Sequence, residues 1–152
     1  MDDFKIRNFK AVHPGQTLSV QRAGPKEAAA LKAALLTRLN LPEETDGLSL
    51  VNSLAARSMQ LHELDASSEG FDLGRILVDQ VGISLDDDVF LNWHRFEQLD
   101  RIRAADLAAF FDDIWYPSAD DLDVVGVGGQ WVLSIAHHGG VSLLKQAAPR
   151  LT

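Results

Sequence analysis

An α+β fold is what this sequence predicts, from three observations. Leucines recur on a helical stripe within residues 25–39. After residue 120 the chain changes to short alternating apolar runs, and glycine-bearing connections separate those runs. Together they predict an antiparallel sheet of about four strands, mostly C-terminal, with three to four helices packed on one of its faces. The chain of 152 residues fits one domain, residues 1–152, large enough to bury a stable core without staples.

The elements follow in order. "TLSVQ" alternates as a short strand, with Leu18 and Val20 on one face. The next segment is a helix: Pro25 suits its first position, Ala28, Leu31, Leu35 and Leu39 form its stripe, and Pro42 lies beyond its end. In "SLVNSLAARSMQLHEL", Val51, Leu54, Leu61 and Leu64 keep near-helical spacing, so a second helix is expected, with Ser49 as its cap. After the loop "DASSEG", "FDLGRILVDQVG" reads as a third helix on Leu73, Ile76, Leu77 and Val81, closed by Gly82. "VFLNWHRF" reads as a strand with Val89, Leu91 and Trp93 on one face, preceded by Asp86, Asp87 and Asp88 as a solvated turn. "AADLAAFFDDIW" returns to helical spacing through Leu107, Phe110, Phe111 and Ile114, and must stop near Tyr116, which precedes Pro117. "DLDVV", "QWVLSIAHH" and "VSLLK" then form a meander, with Trp131, Leu133 and Ile135 pointing one way.

Composition narrows the function classes. With no cysteine, disulfides, thiolate metal sites and cysteine nucleophiles are excluded. No apolar run approaches the ~20 residues of a membrane span, and "MDDFKIRNFK" lacks the apolar stretch of a signal peptide, so a cytoplasmic protein is expected. The formal charge is −8 and unevenly placed: residues 1–76 hold nine Lys/Arg against ten Asp/Glu, residues 77–152 five against twelve. Such a field repels nucleic acid and anionic membranes and attracts a basic protein.

Five carboxylates, Asp112, Asp113, Asp120, Asp121 and Asp123, flank Trp115, Tyr116 and Pro117 in "FFDDIWYPSADDLDV". Asp112 and Asp113 fall in the last turn of the expected helix, where the macrodipole disfavours negative charge. Asp121 and Asp123 alternate with Leu122 and Val124 along the next strand and face away from them. An acidic rim around two aromatics fits a recognition surface, aromatics supplying contact area and acids supplying charge. A solvated turn accounts for the same residues.

Other local chemistry is sparse. "HELDA" at His62 lacks the second histidine of the metalloprotease motif, and His94 stands alone in its expected strand. His137 and His138 are adjacent in a strand and face opposite sides. "GVGG" precedes a strand instead of a helix and reads as a hairpin turn. No metal site or cofactor is expected. At "NWHRF", "FDDIWYPSADDLDV" and "WVLSIAHHG", over roughly residues 89–145, the chain resembles small bacterial proteins of unknown function, some of them immunity-protein-like. The resemblance implies a toxin-neutralising role and carries no site residues with it.

The expected function is therefore non-enzymatic binding of a basic macromolecular partner. Its surface would comprise Asp112, Asp113, Trp115, Tyr116, Asp120, Asp121 and Asp123, extended by Asp86 to Asp88. The alternative is a hydrolase or metal-dependent enzyme pairing His137 or His138 with carboxylates of that set. It requires a cleft that gathers a histidine and two carboxylates.

Overall fold

A computed structural model describes residues 1–145. It is α+β, as expected, but larger in both parts. Seven strands replace the expected four: β1 (Gln21–Arg22), β2 (Met59–Asp65), β3 (Asp88–His94), β4 (Gln98–Arg103), β5 (Leu122–Gly126), β6 (Trp131–Ile135) and β7 (Gly140–Lys145). They form one sheet in the order β1-β4-β3-β5-β6-β7-β2, and every pairing is antiparallel. Six helices replace the expected three or four: α1 (Asp3–Val12), α2 (Pro25–Arg38), α3 (Gly47–Arg57), α4 (Leu73–Ile76), α5 (Ala104–Ala109) and α6 (Phe111–Ile114). None of these is long and apolar enough to cross a membrane.

The helices cover both faces of the sheet, which corrects the one-face expectation. On one face Phe9, Leu73, Leu77, Leu107 and Ile114 pack with Val89, Leu91, Ile102, Val124 and Leu133. On the other Leu31, Leu35, Leu50 and Leu54 of α2 and α3 pack with Phe90, Leu99, Val125 and Val132. The reason lies in the central strands. β3, β5 and β6 carry apolar residues on successive positions, so both of their faces must be covered.

Several elements depart from the expected boundaries. Leu18 and Val20 precede the strand, which is confined to Gln21 and Arg22. The second helix ends at Arg57, and Met59–Asp65 leaves it as strand β2. Its cap is Asp46, whose Oδ1 accepts from the Ser49 amide at 2.7 Å, so Ser49 is the donor and not the cap. The third helix is a short α4 continued by a π-helical turn, Leu77–Val81, and it does end on Gly82, at φ 87°. Asp88 begins β3, leaving Asp86 and Asp87 as exposed turn residues.

The expected helix over residues 104–115 breaks at Phe110, whose φ of −119° separates α5 from α6. Asp112 and Asp113 therefore stand in a separate one-turn helix, whose first turn is also its last. The meander β5–β6–β7 forms as expected, with Trp131, Leu133 and Ile135 on one core face. Gly126 makes room for Trp131. A Cβ at position 126 would stand 2.6 Å from Trp131 Nε1, so only glycine lets the indole lie across β5.

Candidate functional site

The segment after α6 turns on Pro117 and Ser118, the latter at φ 67°. Ala119 and Asp120 donate their amides back to the Tyr116 carbonyl, at 3.3 and 3.1 Å, and Ser118 donates to the His137 carbonyl at 2.8 Å. This ties the turn to the end of β6. Trp115, just before it, is 2 % exposed. Its ring stacks on Phe111 with centroids 5.5 Å apart, and its Nε1 donates to the Asp120 carbonyl at 2.9 Å. Trp115 thus supports the turn from inside and offers no contact area to a partner.

A buried lysine organises the same turn. Lys5, on the inner face of α1, is 2 % exposed and donates to the Ile114 carbonyl at 2.5 Å and to Asp120 Oδ2. Its ammonium lies 4.3 Å from the Trp93 ring centroid and 4.5 Å from that of Tyr116. Two aromatic faces, a carbonyl and a carboxylate together replace the water this cation loses. Asp120 also accepts the Tyr116 amide at 2.8 Å. Beside this cluster lies a cavity of about 370 Å³ that Lys5, Trp93, His94, Asp120 and Asp121 help to line.

The other rim acids divide by partner. Asp113 meets His13 Nε2 at 2.9 Å, joining α6 to the end of α1. Asp123 accepts from Asn92 Nδ2 at 3.0 Å and from Ser134 Oγ at 2.7 Å, bridging β3, β5 and β6. Asp121 accepts from the His137 amide at 2.8 Å and meets His137 Nδ1 at 2.9 Å, on the surface. Asp112 is exposed and carries no hydrogen bond or ion pair among the described residues. Of the seven residues singled out in the sequence, Asp112 and Asp121 are exposed and Tyr116 is half-buried, Asp120 and Trp115 hold the turn together, Asp113 ties α6 to α1, and Asp123 bridges the strands.

The structure brings Asp112 to acids that the sequence reading passed over. A cavity of about 340 Å³ is lined by Asp112, Glu69 and Asp72. It adjoins a second of about 390 Å³, sharing Gly70, Phe71 and Asp72, whose lining adds Glu63, Asp65 and Asp79. Among the described residues Arg75 is the one cation lining either of them. The Asp65 end of β2 meets the β6–β7 turn, where the Ala66 amide donates to the Gly139 carbonyl at 2.8 Å, and that turn carries His137, which connects this region to Asp121. The exposed acids therefore run from the end of β6, past β2 and α4, to α6. Asp86 to Asp88 line a different cavity, of about 820 Å³, together with Arg101 and Trp131.

Local electrostatics follow from these contacts. Hydrogen bonds from the Ser67 hydroxyl and amide hold the Asp65 carboxyl below the usual carboxylate range. Burial pushes Asp121 up, but bonds from the His137 amide and ring, with both nearby imidazoles, outweigh it and leave Asp121 low. Asp123 goes the other way: burial pushes it up, against the bonds from Ser134 and Asn92. A carboxyl whose folded value is raised lends stability that is fully present below its unfolded value and is lost as pH rises through the folded one. Asp123→Asn should therefore gain stability relative to the native chain as pH rises toward neutrality. Denaturation midpoints of both proteins from acid to neutral pH measure this, and parallel curves would refute it.

His137 meets one carboxylate, Asp121, and His138 packs edge-on to His137 with ring centroids 5.6 Å apart. No cluster of three His, Asp or Glu side chains able to hold a metal ion occurs among the described residues. No protein-family model, no curated protein and no solved structure matches this chain.

Proposed function

We propose that the protein acts by binding, recognising a basic macromolecular partner through its acidic face, with a toxin-neutralising role as the specific form. One observation carries this reading. Asp112 joins Glu63, Asp65, Glu69, Asp72 and Asp79 around two adjoining cavities in which, among the described residues, Arg75 is the one cation. Carboxylates left in water around a concave surface steer a cationic partner and set its orientation. Asp121 and Tyr116 extend the face toward the turn first singled out in the sequence. Inhibition would be steric and electrostatic, and it asks no chemistry of the inhibitor.

The test is kinetic. A partner captured from the source cells is purified, and its association is followed at increasing salt with the native chain and an Asp112→Asn, Glu69→Gln, Asp121→Asn variant. Association should slow steeply with salt, and the variant should start slower and respond less, while dissociation changes little. Association that ignores both salt and the three substitutions would sink the reading.

A further inference from the structure

We propose that the outer edge of β2 is a strand-addition site for an extended basic segment of a partner protein, which rests on the acidic-face reading and gives it a binding mode. Among the described residues β2 is the last strand on its side of the sheet, paired with β7 alone. The opposite edge, β1, has only two residues. An unpaired strand edge presents a row of amides and carbonyls that a guest strand can satisfy.

β2 is also built irregularly, with a wide bulge against β7. Its register against β7 jumps from Gln60↔Ser142 to Asp65↔Gly140, so Leu61–Leu64 arch out opposite the single residue Val141. The arch lies between two cavities, of about 390 and 270 Å³, and both are lined by Glu63, Leu64 and Gln80. Met59 at its start is 63 % exposed. A guest strand laid here would alternate its side chains between the half-buried Leu61 and Leu64 and the surrounding carboxylates.

Charge selects the occupant. Glu63, Asp65, Asp72 and Asp79 surround the strand, and Arg75 is half-spent on Asp79 at 3.4 Å. A second copy pairing through β2 would set Glu63 and Asp65 against the same acids, a cost that blunts self-association. A lysine- or arginine-bearing strand removes that cost. The edge is thus closed to its own kind and open to a cationic guest.

The experiment uses the full chain and two synthetic peptides of about eight alternating Lys and Val residues, one of them N-methylated at every second amide, so that charge is equal but one hydrogen-bonding edge is blocked. Binding is followed by backbone amide shifts and hydrogen exchange. The unmodified peptide should shift and protect amides within Gln60–Asp65 and should bind about tenfold more tightly than the methylated one, the worth of one or two net hydrogen bonds. A Glu63→Lys, Asp79→Lys variant should weaken both peptides. Equal affinity of the two peptides, or shifts confined to Asp112 and Asp121, would overturn strand addition while leaving the acidic face standing. No binding of either peptide would overturn strand addition, and the salt-dependent association test above would then decide the acidic face separately.

Discussion

Lys5→Ala is expected to lower stability by about 3–5 kcal/mol, the range for removing one partner of a buried ion pair. The substitution strands the Ile114 carbonyl and deprives Asp120 of its cation, while Trp93 and Tyr116 lose the group between their rings. Urea denaturation measures the loss. Lys5→Met keeps the stem volume, and combined with Asp120→Asn it should recover part of the deficit, because the buried charges leave together. A double-mutant cycle should return a coupling above about 1 kcal/mol. If Lys5→Ala costs less than that, the ammonium is not the tie between α1 and the turn.

Trp115→Ala is expected to cost a similar amount, about 3–5 kcal/mol, from a large cavity beneath the turn. Trp115→Phe separates the contributions. It keeps a ring for the Phe111 stack and loses only the Nε1 bond to the Asp120 carbonyl, worth about 1 kcal/mol net, plus some packing. The pair also distinguishes support from recognition. A tryptophan at a partner surface would leave the melting curve unmoved on truncation, and that result would put Trp115 back on the outside.

The elements with one unambiguous period were legible in the sequence. α2, with Pro25 at its first position and a leucine stripe, and the meander β5–β7 stand where the pattern places them. β2 was not legible, because Leu61 and Leu64, spaced by three, extend the helical stripe of Val51 and Leu54 across the break at Ser58. β4 has the same difficulty: Leu99 and Ile102 are three apart and face opposite sides of the sheet, with Asp100 buried between them. α1 is masked by its own chemistry. Its buried residues are Lys5 and Phe9, so half of its inward stripe is a charge. The i, i+4 spacing of those two residues was the available signal.

The candidate site divides the same way. Composition located the acids but not their partners. Asp113, Asp120 and Asp123 bond to His13, Lys5, Asn92 and Ser134, mostly from other elements, and the Trp115 ring turns inward. Glu63, Glu69 and Asp79 are scattered singly along the chain, and only the tertiary fold carries them beside Asp112.

The strand order carries a consequence for the order of events during synthesis. β2 is made in the first half of the chain, yet its ladder partner is the last strand described: Met59 pairs with Leu143 and Gln60 with Ser142. α1 waits as well, since Lys5 needs Ile114 and Asp120. A nascent chain that has emerged as far as β6 can therefore already seat α1 on Ile114 and Asp120, but it still holds an orphan strand, which cannot be fixed until β7 arrives. Such distant closures are slow compared with hairpin formation. During that interval the acids of β2, which later frame its free edge, are what keep an unpaired strand from annealing to its neighbours on the next chain.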